Sequence, residues 1–205
     1  SLYRDHPGFA TVAHMFDHAS RTHGERTAMI CGDARMTYAE YRRCVAGLAH
    51  RLGELSQRGD RVVAIKGNSL ETSITAYATW VSGRHSVLLN PLYTERELGP
   101  LLKDIAPAVV LCDDALLDLV APLAREAGAG SVLAYAADGV DAAGLRAGEE
   151  RPLPDPLPSP DEPASLIFTG GTTGLSKGAM HSHATLLCMA LQMDAMWPQA
   201  SGAET

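Results

Sequence analysis

The stretch Phe168-Thr-Gly-Gly-Thr-Thr-Gly-Leu-Ser-Lys-Gly178 holds four glycines, three threonines, one serine and one lysine in eleven residues. Glycine lets backbone N–H groups come close to an anion and point inward at it. The hydroxyls of Thr169, Thr172, Thr173 and Ser176 add short donors, and Lys177 adds a mobile positive charge. Together these are the parts of a phosphate cradle. The competing reading is a flexible surface loop, with Lys177 a solvated lysine in a turn. Against it, a lysine set among glycines between apolar flanks is not linker chemistry.

Spacing excludes two familiar phosphate loops. A Walker A loop requires G-x-x-x-x-G-K-[ST], but counting from Gly171 the sixth position is Ser176, and Gly178 follows Lys177. A dinucleotide fingerprint requires G-x-G-x-x-G opening a long helix. Here the order is G-G-x-x-G, with no helix-like stretch directly after it.

Elements must hold this run in place. Ala164 to Phe168 is an apolar strand that leads into it, and Ala179 to His181 reads as a returning strand. Ser182 is a plausible cap for a following helix whose stripe is Leu186, Met189, Met193 and Met196. Such a stripe is more often core than surface.

Upstream, strand and helix alternate. Val12, Met15, Phe16 and Ala19 form one helical stripe, with His14 and His18 on a shared face but no third metal ligand at a recognisable spacing. Thr27 to Cys31 is a short strand. Thr37 and Glu40 form a capping box that starts a helix carrying Tyr41, Val45, Leu48, Leu52 and Leu55. Arg61 to Ile65 is a buried strand. Ser69 caps a helix with Leu70, Ile74, Tyr77 and Val81 inside, and Gly83 stops it. Strands at 86–89, 108–112 and 131–134 alternate with a helix opened by the Thr94–Glu97 box and another over 115–127. This alternation, without Asn-Gly turns, predicts parallel strands joined by right-handed crossovers.

The fold class expected is therefore α/β: a doubly wound, mostly parallel sheet with flanking helices, then a strand-loop-strand phosphate loop. Residues 1–147 form the layer, and 164–205 the phosphate-loop segment with its helix. Between them, 148–163 carries six of the twelve prolines and six charged residues, an extended acidic linker.

Composition narrows the function classes. At 46% hydrophobic and 20% charged, the chain reads as soluble and globular, and its net charge of -7 with no basic block argues against a nucleic-acid surface. Cys31, Cys44, Cys112 and Cys188 form no CxxC pair, so neither a zinc site nor a disulfide framework is expected. No signal-like start and no apolar run of about 20 residues is present, which predicts a cytoplasmic location without a transmembrane segment.

The Phe168–Gly178 stretch resembles the [YF]-T-[SG]-G-[ST]-T-G-x-P-K-G loop of the adenylate-forming ligases, with Ser176 in place of the usual proline. Gly170 stands where many members have serine, a variant associated with fatty-acyl-CoA ligases. Three further blocks are similar: Met36-Thr-Tyr-Ala-Glu-Tyr41, Gly59–Ile65 with Asn68-Ser69, and Asn90–Leu98. Gly83-Arg-His-Ser86 departs from the family, which has small apolar residues there, and leaves Arg84 and His85 without a role. Capping accounts for Thr37, Glu40, Thr94 and Glu97, which points to scaffold rather than substrate contact.

The resemblance implies an acid–thiol ligase that activates a carboxylic acid, fatty by the Gly170 variant, as an acyl-adenylate and transfers it to coenzyme A. It implies ATP and Mg²⁺ as cofactors. The β and γ phosphates would meet Thr169, Thr172 and Thr173 and the N–H groups of Gly170, Gly171 and Gly174. Thr172 would lie nearest the metal, and Lys177 would act as the catalytic charge. Because members run to several hundred residues, it further implies that these residues are the first part of a larger N-terminal domain, inactive alone. An aryl-CoA ligase, a peptide-synthetase adenylation domain, or a non-catalytic phosphate-binding α/β module are the alternatives. The oligomeric state is left open, a homodimer included.

Overall fold

A computed structural model describes residues 8–169 and 177–196. After helix α1 (Val12–Thr22) come strands β1 (Thr27–Cys31) and β2 (Ala34–Thr37), helix α2 (Tyr38–Leu55), β3 (Arg61–Ile65) and α3 (Leu70–Val81). Then follow β4 (His85–Leu89), α4 (Glu95–Ile105), β5 (Val109–Cys112), a short 3₁₀ turn, α5 (Leu117–Glu126) and β6 (Ser131–Ala134). The described chain closes with α6 (Ala142–Ala147), β7 (Pro163–Thr169), β8 (Lys177–Ser182) and α7 (His183–Met196).

Six strands form the main sheet in the order β6-β5-β3-β4-β7-β8. All neighbours are parallel except the last pair, where β8 runs antiparallel to β7. The doubly wound α/β layer expected from the alternation is what is observed. Helices cover both faces, so the central strands need no polar side, and four residues of β3 and all of β5 are buried. Side chains alternate between faces at period two. Val62, Val109, Leu111 and Leu133 pack under α1, α2, α3 and α6, whereas Val63, Ile65, Val87, Val110 and Cys112 pack under α4 and α5.

Local chemistry fixes the helix starts. The Thr37 N–H donates to Glu40 Oε2 at 2.8 Å and the Glu40 N–H donates to Thr37 Oγ1 at 3.2 Å, a closed capping box. Glu97 Oε2 accepts from both the N–H and the hydroxyl of Thr94 at 2.8 Å. At Ser69 the hydroxyl accepts from the Thr72 N–H, and Gly83 takes the left-handed φ of +68° that ends the turn after α3.

Three features differ from the sequence-based expectation. The segment entering α2 is itself a strand: β2 pairs antiparallel with β1 across a turn in which Gly32 has φ +58°, a hairpin outside the main sheet. Helix α6, six residues long, is held by Asp141, whose carboxylate accepts from the Gly144 N–H at 2.8 Å. The third difference is a correction. Met189, Met193 and Met196, read as core, are 46%, 57% and 69% exposed. Apolar residues occur on every side of α7, so period alone could not choose the inner face. The protein uses the other side, where Ala190, Leu191 and Asp194 face Phe16, Tyr41 and Tyr77 across a cavity of about 800 Å³.

The proline-rich stretch lies along the surface of the layer. His50 Nε2 hydrogen-bonds Pro152 O at 2.9 Å, Leu153 is buried, and Arg58 donates to Pro156 O and to Glu162, both at 2.9 Å. It returns the chain to the free side of β4, so β7 enters the same sheet as the strands of the layer.

Candidate functional site

The hairpin of β7 and β8 carries the glycine-rich run. Its rungs are Leu166↔Met180, Ile167↔Ala179, Phe168↔Gly178 and Thr169↔Lys177, so Thr169 and Lys177 face each other as the closing pair of the stem. Gly170, Gly171, Thr172, Thr173 and Gly174, the other predicted phosphate ligands, lie outside the described residues. Phe168 and Leu166 pack into the α4–α5 side of the core, and a side chain at Gly178 would crowd both. A Cβ on Gly178 would stand 2.7 Å from Leu166 Cδ1 and 3.3 Å from the Phe168 ring.

β7 runs parallel to β4, and so to β3 and β5, and ends at Thr169, so the closing pair lies at the edge of the sheet where β3, β4 and β5 end in Ile65, Leu89 and Cys112. Open α/β sheets bind ligands outside the carboxyl ends of their strands. Charges along this edge already satisfy one another. Lys66 pairs with Asp113 and stands 5.0 Å over the Tyr135 ring. Asp114 accepts from the N–H groups of Ala136 and Ala137 at 3.0 and 2.8 Å, and these bonds hold its carboxyl below the usual range. The run from Thr169 to Lys177 contains no carboxylate. As a donor set of hydroxyls, glycine amides and one ammonium, it suits a polyanion such as ATP's triphosphate.

Of the two residues left without a role, Arg84 is structural. Arg84 is buried at the opposite, amino end of β4. It donates to Ser56 Oγ at 2.7 Å, to Ser82 O at 2.8 Å and, through its other terminal nitrogen, to Ser56 O. Burial lowers its pKa, yet it remains a cation that ties the ends of α2 and α3 together. Replacing it by Met in the whole protein removes the donor of two carbonyls and a hydroxyl. A loss of about 2 kcal/mol in denaturant unfolding is expected, without a change in the KM for ATP. A changed KM with unchanged stability would place Arg84 in the site instead. His85 follows it, with burial lowering its pKa and its Nδ1 buried without a partner among the described residues.

The paired histidines of α1 have local partners. His14 Nδ1 is 2.7 Å from Thr11 Oγ1, and the His18 ring rests on Phe9. Cys44 and Cys112 are buried free thiols, and burial pushes each up to about 11. Among the described residues no helix is long and apolar enough to cross a membrane.

Sequence reasoning missed a buried polar relay beside the hairpin. Trp80 Nε1 donates to Ser165 Oγ at 3.1 Å, and Ser165 Oγ lies 3.2 Å from Ser86 Oγ. It missed His183 too, fully buried at the start of α7 with neither ring nitrogen hydrogen-bonded among the described residues. Nothing local marks the relay, because its partners come from distant parts of the chain.

A family model described as AMP-binding enzyme matches residues 16–204. Among curated proteins, 4-coumarate–CoA ligase 4 of Arabidopsis thaliana is 31% identical over 166 residues, covering 74% of this chain and 29% of that protein. The long-chain-fatty-acid–CoA ligase of Haemophilus influenzae is 28% identical over 224 residues, covering 93% of this chain and 40% of the relative. Among solved structures, ATP-bound MatB from Rhodopseudomonas palustris matches with a TM-score of 0.69 at 31% identity, over 80% of this chain and 33% of that one. The chain thus spans well under half the length of these proteins. With its phosphate-type run at the carboxyl edge of a doubly wound sheet and a family match running through nearly all of its length, the chain belongs to the AMP-binding enzyme family.

Proposed function

We propose that the whole protein is an ATP-dependent acyl-CoA ligase that activates a carboxylic acid, of the fatty class, as its acyl-adenylate and passes the acyl group to coenzyme A. The observation that carries this reading is the run from Phe168 to Gly178 mounted on the β7–β8 hairpin, with Thr169 and Lys177 as its closing pair. The fatty class rests on Gly170 in place of serine and on the similarity to a long-chain-fatty-acid–CoA ligase.

A carboxylate is a poor acyl donor, because its charge repels nucleophiles and its oxygen leaves badly. Attack on the α-phosphorus of ATP forms the carboxylate–phosphorus bond and breaks the bond to pyrophosphate, after which the thiol of coenzyme A displaces AMP. The protein must stabilise the charge that grows on the departing pyrophosphate. Thr169, Thr172 and Thr173, with the amides of Gly170, Gly171 and Gly174, hold the β and γ phosphates. Thr172 would offer a hydroxyl to Mg²⁺, which when bound would neutralise phosphate charge. Lys177 adds a charge on a flexible stem at the rim, suited to gripping pyrophosphate and then releasing it.

The test is CoA-dependent AMP formation by the whole protein with fatty, aryl and amino acids offered in parallel. Turnover with fatty acids is expected, and preference for an aryl or amino acid would reassign the substrate class. The 205 residues alone are expected to show no acid-dependent pyrophosphate exchange. Exchange by that piece would mean that the site is complete within it.

A further inference from the structure

The β7–β8 hairpin joins the rest of the sheet through β4 and packs Leu166 and Phe168 on the α4–α5 side of the core. Ser86↔Ser165 is the one registered pair between β4 and β7 among the described residues, against five between β3 and β4 and six between β7 and β8. That rung is also where the polar relay lies. Both serines are buried, and their hydroxyl oxygens are 3.2 Å apart. Indole Nε1–H can only donate, so Ser165 Oγ accepts from Trp80 across 3.1 Å and retains its own proton and a lone pair for Ser86.

Trp80 is itself held. Its ring meets Tyr77 edge to face at 4.8 Å, and Tyr77 packs on Phe16 at 4.9 Å and Tyr41 at 5.6 Å. An aromatic column from α1 and α2 through α3 thus ends in one hydrogen bond to β7. From Ser165 the strand runs four residues to Thr169, roughly 13 Å at the rise of a β-strand, and stays paired with β8 throughout. A shift of β7 at Ser165 carries β8 with it, because the two strands are paired at six registered positions.

We propose that Trp80 and Ser165 are positioning residues for the nucleotide: their hydrogen bond sets where the Thr169–Lys177 end of the hairpin stands relative to the carboxyl edge of the sheet. The inference rests on the ATP-dependent reading above. Trp80 and Ser165 touch neither ATP nor acid, and they act through the strand.

The experiment is acid-dependent ATP–pyrophosphate exchange by the whole protein, comparing wild type with Trp80→Phe, Ser165→Ala and the double variant. Trp80→Phe keeps the aromatic contact and loses only the donor. Each single variant is expected to raise the KM for ATP five- to twentyfold, with kcat within about twofold and the KM for the acid unchanged. Because both remove the same bond, the double variant should be little worse than either single one. A KM for ATP within twofold of wild type in both singles overturns the proposal, even if thermal stability falls, since that is the signature of a purely structural contact. Effects that multiply fully in the double variant overturn it too. Exchange by wild type that the variants leave untouched removes this inference alone, whereas absence of exchange by wild type with any acid removes the ligase reading and this inference with it.

Discussion

Lowering the pH from 7.5 to 4 is expected to strip about 3 kcal/mol from folding stability through His183 alone. The imidazole is fully buried, and neither nitrogen has a hydrogen-bond partner among the described residues. Burial is the largest influence and lowers its pKa to about 4. Glu162 opposes the shift, and the positive fields of Arg58, His14 and His85 reinforce it. In the unfolded chain the same group titrates near 6.5. Between these values the unfolded state binds more protons than the folded one, so stability falls as pH falls. The loss begins as pH drops through about 6.5 and levels off only below about 4, and well above 6.5 this group adds no slope. A shift of about 2.5 units at about 1.36 kcal/mol per unit gives the stated magnitude. His183→Leu removes a buried polar group that has no bond to lose. Its stability at pH 7.5 should match or exceed wild type, and its urea midpoint should vary less between pH 7.5 and 4.5. An equally steep loss in the variant would assign the acid sensitivity elsewhere, with His85 the next group to test, since burial lowers its pKa too.

Lys177→Ala in the whole protein is expected to lower kcat/KM for ATP about 10- to 100-fold. A charge-assisted hydrogen bond to a phosphate contributes on the order of 1.5–3 kcal/mol, and about 1.4 kcal/mol corresponds to a factor of ten. Alanine keeps the backbone groups that pair with Thr169 in the ladder, so the melting temperature should move little. Lys177→Arg should restore the charge but only part of the activity, because a planar fork does not replace a compact ammonium at a site built for a point charge. An unchanged kcat/KM in Lys177→Ala would make this residue a solvated lysine of the turn and remove it from the site.

What the sequence made legible was local chemistry. The Thr37–Glu40 box, the Ser69 cap and the Gly83 stop each work within a few residues, and each is found where its pattern placed it. The parallel layer was legible for the same reason, since buried strands and amphipathic helices alternate with distinct periods. Helix α6 is under two turns, too short for a period to show, and β2 was hidden by the capping signal that begins inside it. The inner face of α7 could not be read from a helix that is apolar all round.

Of the site, the strands that flank the phosphate-type run were legible, because the run and its apolar flanks are contiguous in sequence. The relay that seats its hairpin was not, as Trp80, Ser86 and Ser165 meet only once β7 lies beside β4. Arg84 illustrates the converse. In sequence it departs from the family without apparent reason, and in the fold it joins the ends of two helices through Ser56 and Ser82.

The central claim, that the hairpin loop serves adenylation of a carboxylic acid, is tested most directly by isotope exchange between pyrophosphate and ATP. With wild-type whole protein, exchange should depend on added carboxylic acid, need no coenzyme A, and fall with Lys177→Ala. Exchange absent with every fatty, aryl and amino acid offered, by protein shown to be folded, would contradict it.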